Sequence, residues 1–208
     1  MDFIFLTGII LTQNLAVFLD NLGIFSLIER HNKSNIASSY TKKYQIDFLS
    51  RGFLFFTPPL LGFILIQNNL DLLLLSFLFS AIISFLLSSL QSFLFLKKHN
   101  FNFNFHKNTR SILILILGLF VFFTHLYVPF YLNIIGFFSS ENSLWIVQLS
   151  PALTSLSTAF IVYYLDPTIA KFIDSKKNKN IILEMILMRL LGRLSIVILA
   201  LFLFFTII

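Results

Sequence analysis

The sequence predicts an all-α fold: a polytopic transmembrane helical bundle of about six spans, both termini extracytoplasmic, forming one domain over residues 1–208. Three observations lead there. The chain is 57% hydrophobic and only 12% charged, whereas a soluble domain carries roughly 25% charged residues. Apolar runs long enough to cross a bilayer, about 20 residues for ~30 Å of hydrocarbon, recur along its whole length. The basic residues outside those runs fall in alternate connections between them.

In order, the runs are Phe3–Ile28, Phe48–Ile66, Leu70–Leu96, Ser111–Phe138, Leu144–Leu165 and Ile181–Ile208. The first begins at Met1-Asp2-Phe3 without the basic stretch of a signal peptide, so it reads as a retained span. The Gln67-Asn68-Asn69 connection is so short that the second and third runs read as a tight pair, either two spans or one re-entrant hairpin.

Charge sets the orientation. Arg30, Lys33, Lys42 and Lys43 lie in the first connection, with Arg51 just inside the next run. Lys97, Lys98, Lys107 and Arg110 lie in the third connection, and Lys171, Lys176, Lys177 and Lys179 in the fifth. The second and fourth connections and both termini carry no Lys or Arg. The positive-inside rule then expects connections one, three and five in the cytoplasm and the termini outside. The formal net charge of +6 is thereby a matter of membrane topology, and nucleic acid is not expected as a partner.

Polar residues inside the runs have two readings. Ser76, Ser80, Ser84, Ser88 and Ser92 recur at every fourth residue of the third run. Small side chains at that spacing let helices approach and hydrogen-bond, and packing is preferred here over a hydrophilic pathway. The fifth run holds Gln148, Ser150, Pro151, Thr154, Ser155, Ser157 and Thr158. Pro151 removes a backbone donor and predicts a kink, and Pro58-Pro59 predicts a break or bend in the second run.

Ionisable residues inside a membrane cost about 2.5–3.5 kcal/mol each on insertion scales and are functional candidates for that reason. They are Asp20, Arg51, His125, Asp166, Glu184, Arg189 and Arg193, most of them in the half expected to face the cytoplasm. Arg189 and Arg193 share a helix face, with Gly192 and Ser195 nearby. Two guanidinium groups on one face suit a diphosphate through bidentate, charge-assisted hydrogen bonds. The alternative is a structural ion pair with Asp20, Asp166 or Glu184, the last a poorer partner because five residues separate it from Arg189. His125 reads as a hydrogen-bonded packing residue in preference to a proton relay.

Absent chemistry narrows the function further. The chain has no cysteine, which excludes disulfides and thiolate chemistry. It shows no metal-spaced His/Glu cluster, Gly-rich phosphate loop or serine elbow. The expectation is a protein that is not an enzyme and needs no cofactor or metal.

Three patches resemble the Amj-type lipid II flippase family. The first is Phe18-Leu19-Asp20-Asn21-Leu22-Gly23 followed by Ser26. The second is Ser50-Arg51 with Pro59-Leu60-Leu61-Gly62 beyond it, similar to the family's Ser-Arg…Pro-Leu-Leu-Gly. The third joins Leu149-Ser150, Thr158-Ala159, Asp166-Pro167, Phe172-Ile173-Asp174 and Arg189-Leu190-Leu191-Gly192. These patches lie towards both ends of the chain and leave about residues 67–145 unmatched.

The resemblance implies transfer of an undecaprenyl-diphosphate-linked peptidoglycan precursor across a bacterial inner membrane for cell wall synthesis. Arg51, Arg189 and Arg193, with Asp20 and Asp166, would form the substrate site. The partners expected are a lipid-linked oligosaccharide and membrane lipids, and a homodimer along the serine ridge would enlarge the cavity six helices can enclose. Two other classes stand beside it: a secondary transporter of another lipid-linked glycan or a small solute, with Asp20 and Asp166 holding a cation, and a non-transporting membrane scaffold whose charges are structural.

Overall fold

The computed structural model describes residues 2–31, 36–99, 126–139, 143–160, 163, 167 and 180–208. The helices are α1 (Asp2–His31), α2 (Ile36–Ile66), α3 (Leu70–His99), α4 (Val128–Phe138), α5 (Ser143–Gln148), α6 (Ser150–Phe160) and α7 (Asn180–Ile207). No strand occurs among the described residues.

Four stretches are long and apolar enough to cross a membrane: Asp2–Ser26, Tyr40–Ile66, Leu70–Lys98 and Ile186–Ile207. Their polarity is arranged as lipid requires. Outward positions carry Phe3, Phe48, Phe55, Leu86, Phe93, Phe202 and Phe205, all exposed, whereas Gln13, Asn14, Asn21, Ser80, Ser84 and Arg193 are buried inside. A soluble protein would invert that pattern. The chain is a membrane protein whose described residues are helical, without strands.

The first, second, third and sixth expected segments therefore each form a helix of spanning length. The fourth is described only from Leu126, where Val128–Phe138 is helical, and its earlier part, with His125, lies outside the described residues. The fifth, as far as Phe160, is two short helices that meet where the chain turns at Leu149, whose N–H donates to Ile146 O at 3.2 Å. Pro151 follows with no N–H to give, so the expected interruption at this site is present. Pro58-Pro59 does not break α2, which runs continuously from Ile36 to Ile66. The second segment begins well before Phe48, so Lys42, Lys43 and Asp47 are helical instead of forming a connecting loop.

The α2–α3 link is a helical hairpin between two full-length helices. Asn68 adopts a left-handed φ of 53°, which asparagine tolerates better than most residues. Its N–H donates to Leu65 O at 3.0 Å, and that of Asn69 to Ile64 O at 3.3 Å. This pair of bonds closes the end of α2 as a Schellman motif. Asn69 Oδ1 then accepts from Leu72 N at 3.0 Å and caps α3.

Interhelical contacts give the helix directions. Thr12 meets Thr57, Ser50 Oγ donates to Ala16 O at 2.7 Å, and Gly23 abuts Asp47, so α1 and α2 are antiparallel. Asn14 meets Ser84 and Asn21 meets Ser88, so α1 and α3 are parallel. The core joins Ile9, Ala16, Val17, Leu61, Leu73, Phe77, Ala81, Phe130, Ile196 and Ala200, with Phe5, Phe204 and Ile207 packed onto it. The beginning of α1 and the end of α7 therefore lie at the same end of the bundle, beside the α2–α3 hairpin, where Phe5 stacks on Phe63 at 5.1 Å.

The serine ridge faces inward. Ser76, Ser80, Ser84, Ser88 and Ser92 are all buried. Their small volume lets α3 approach α1, and the Ser84 and Ser88 hydroxyls meet Asn14 and Asn21 across the contact. The ridge is consumed within one chain and is not a free face for a second copy.

Candidate functional site

Two polar centres emerge, and they divide the sequence-derived candidates between them. The first is a charged seam inside the bundle. Arg189 Nη1, on α7, donates to Asp20 Oδ2 of α1 at 2.8 Å and to Asn21 Oδ1 at 3.0 Å. Arg193, one turn on, brings Nη2 to 3.6 Å from the same Asp20 oxygen. That contact is an ion pair too long for a good hydrogen bond. The two arginines do share a face, as their spacing predicts, but a carboxylate already sits between them.

The seam continues into α2. Lys43 Nζ pairs with Asp47 Oδ2 at 2.9 Å, with the lysine side chain buried. Asp20 and Arg189 are among the charges acting on Asp47. A Cβ at position 23 would come within 2.6 Å of Asp47 Oδ1, so glycine there is what lets α1 and α2 close over the pair. Neutral groups complete the seam. Asn21 Nδ2 donates to Ser88 Oγ at 3.0 Å and Gln91 Oε1 at 2.8 Å, and Gln91 Nε2 reaches Phe18 O at 3.2 Å. Ser84 Oγ contacts Asn14 Oδ1, Ser80 O and the Tyr127 hydroxyl, while Gln13 Nε2 donates to Leu126 O at 2.7 Å. Hydrogen bonds between membrane helices average only about 0.6 kcal/mol each, so this network acts chiefly by fixing register.

The second centre is a pocket of about 390 Å³ between α2, α4 and α6. From α2 it takes Arg51, Leu54, Phe55, Pro58 and Pro59, which lie on one helix face at the i, i+3, i+4, i+7, i+8 spacing. From α6 it takes Ser150, Pro151, Thr154, Ser155 and Thr158, and Pro129 of α4 completes the wall. The prolines contribute chemistry as well as shape. Pro58 and Pro59 have no N–H to offer the carbonyls four residues back, which belong to Leu54 and Phe55, both in the pocket wall. The pocket thus combines an apolar floor with one arginine and four hydroxyl-bearing residues.

Arg51 is therefore parted from Arg189 and Arg193, and the expected three-arginine cluster is two centres. Asp20 belongs to the seam. Asp166 lies outside the described residues, as do Lys107, Arg110, Lys171, Lys176, Lys177, Lys179 and Asp174. Glu184 lies in α7, but its side chain is not among those described. Sequence reasoning missed Lys43 and Asp47, assigned to a loop, and the amides Gln13, Asn14, Asn21 and Gln91. Uncharged amides inside apolar runs, with Asn14 and Asn21 seven residues apart on one face, were the available signal. Among the described residues no group of three metal-ligating side chains assembles. No protein-family model, curated protein or solved structure matches this chain.

Proposed function

We propose that the protein moves an amphipathic, diphosphate-linked lipid across a bacterial inner membrane, as the resemblance to Amj-type lipid II flippases implies. The pocket on Arg51 carries this reading. A lipid-linked precursor joins an apolar tail to an anionic diphosphate and a hydroxyl-rich head. The pocket matches each part: Leu54, Phe55 and the prolines against the tail, Arg51 against the diphosphate, and the α6 hydroxyls against the head. Two patches of the resemblance meet there, since Arg51 and Pro59 come from one and Ser150 and Thr158 from the other.

In this reading the connections rich in Lys and Arg are cytoplasmic and the termini extracytoplasmic. Arg51 then stands towards the cytoplasmic half of α2, where the precursor is loaded. Outward movement of an anion down an inside-negative potential is favourable by roughly 2.3 kcal/mol per charge per 100 mV. The seam at Asp20, Arg189 and Arg193 holds α1 against α7 and positions the pocket without forming it.

Rescue of cells depleted of their other lipid II flippases tests the proposal. Arg51→Ala should insert and melt like the wild type yet fail to rescue. Full rescue by Arg51→Ala removes the pocket from the mechanism. A vesicle assay in which the protein moves a soluble ion but no labelled lipid precursor favours the small-solute transporter instead.

A further inference from the structure

We infer that the pocket on Arg51 reads the phosphate end of its lipid and not the glycan, so that a glycan-free prenyl monophosphate is itself a ligand. This rests on the proposed function, in which the pocket takes a prenyl-linked phosphate. The donors there are unused. Arg51 makes no hydrogen bond or ion pair among the described residues, although it lies eleven residues inside the Tyr40–Ile66 span, about 16 Å along the helix axis. A cation at that depth is costly without a counter-charge. The hydroxyls of Ser150, Thr154, Ser155 and Thr158 likewise have no hydrogen-bond partner among the described residues. Elsewhere in the chain Thr7, Thr12, Ser84, Ser195 and Thr206 all donate to carbonyls of their own helix. At the i, i+4, i+5, i+8 spacing the four α6 residues share one face, and that face lines the pocket with Arg51.

Charge and size together fix the ligand. A guanidinium has only donors, so the group seated on it is an acceptor, and inside a membrane an anion. One guanidinium forms one bidentate fork. A single phosphate satisfies it, which leaves the α6 hydroxyls to donate to the remaining phosphate oxygens. The pocket's volume of about 390 Å³ holds about 13 non-hydrogen atoms at the ~30 Å³ that each water fills in the liquid. A phosphate and the first isoprene units of a tail occupy that space, whereas a disaccharide alone does not fit. The glycan of a loaded precursor therefore stays outside, and the hydroxyls meet only the end of the head that adjoins the phosphates. The tail leaves sideways. The pocket wall runs from Ser150, 1% exposed, to Phe55, 75% exposed, and Phe55 carries the opening to the lipid-facing surface.

The test melts the full-length protein in nanodiscs of phosphatidylcholine, with farnesyl monophosphate as the probe. The melting temperature should rise saturably, by about 5–10 °C at a hundredfold excess over half-saturation. Farnesol and inorganic phosphate, the two halves of the probe, should give no such rise at the same concentrations. Arg51→Met, which removes the charge and keeps much of the length, should lose the increment. Thr154→Val, which keeps the shape and removes a hydroxyl, should raise half-saturation about tenfold. A lipid II analogue on the same farnesyl tail should half-saturate within about threefold of the monophosphate, because its glycan adds no contact in the pocket. Equal stabilisation by farnesol overturns the inference, as does an increment that survives Arg51→Met. So does an increment abolished when phosphatidylglycerol replaces phosphatidylcholine, since the pocket then takes any lipid phosphate. An analogue that stabilises where the monophosphate does not also overturns it: the glycan is then read, and the proposed function stands. If neither stabilises, the pocket binds no prenyl phosphate and the proposed reading of it falls as well.

Discussion

Asp20→Ala is the sharpest probe of the seam. One carboxylate oxygen lies 2.8 Å from Arg189 Nη1 and 3.6 Å from Arg193 Nη2, so a single truncation strips both cations. The Arg189 side chain is 8% exposed and Asp20 15%, which places the contact in the buried regime. There, removing one partner costs about 3–5 kcal/mol because the other charge is stranded. For a chain of this size each kcal/mol moves the melting temperature by roughly 2–4 °C. A drop of about 6–20 °C is expected, read as the monodisperse fraction surviving heat by size-exclusion chromatography in detergent. Asp20→Ala combined with Arg189→Met should recover most of the loss, since the cation that depended most on Asp20 is gone as well. A single variant melting within about 2 °C of the wild type refutes the reasoning. The exchange Asp20→Arg with Arg189→Asp separates two roles: a scaffold pair regains fold and function, whereas a pair that touches substrate regains the fold alone.

Two further predictions concern packing and orientation. Gly23→Ala should destabilise the protein by about 1–3 kcal/mol, the range for overpacking, because its methyl would press on the Asp47 carboxylate held by Lys43. Gly52→Ala, with nothing within 4 Å of the added carbon, should instead stabilise α2 by up to ~1 kcal/mol; heat survival of both variants checks the contrast. For orientation, the absence of native cysteine makes single-cysteine labelling clean. Gln67→Cys at the α2–α3 turn should react with an impermeant maleimide on intact cells, and Lys98→Cys only after permeabilisation. The reverse pattern inverts the proposed topology.

Much of the fold was legible because spanning a bilayer leaves a signal that needs no partner. Uninterrupted apolar length marks α1, α3 and the second half of α7, since each helix satisfies its own backbone hydrogen bonds. The signal failed where tertiary contact overrode composition. Lys43 and Asp47 read as a loop because charges end apolar runs, yet they are helical and neutralise each other one turn apart. Pro58 and Pro59 read as a break or bend, and α2 continues through them unbroken, with both prolines in the pocket wall.

That this is a helical membrane protein, where most of its long helices fall, and which charges they carry into the membrane can all be read from the chain alone. Those properties follow from local composition and period, which the chain states residue by residue. How the charges pair depends on the packed fold. It set Asp20 between Arg189 and Arg193, turned the serine ridge inward against α1, and parted Arg51 into a pocket of its own. Pairing depends on which helix faces meet, and residues 169 positions apart carry no mark of it in a single sequence.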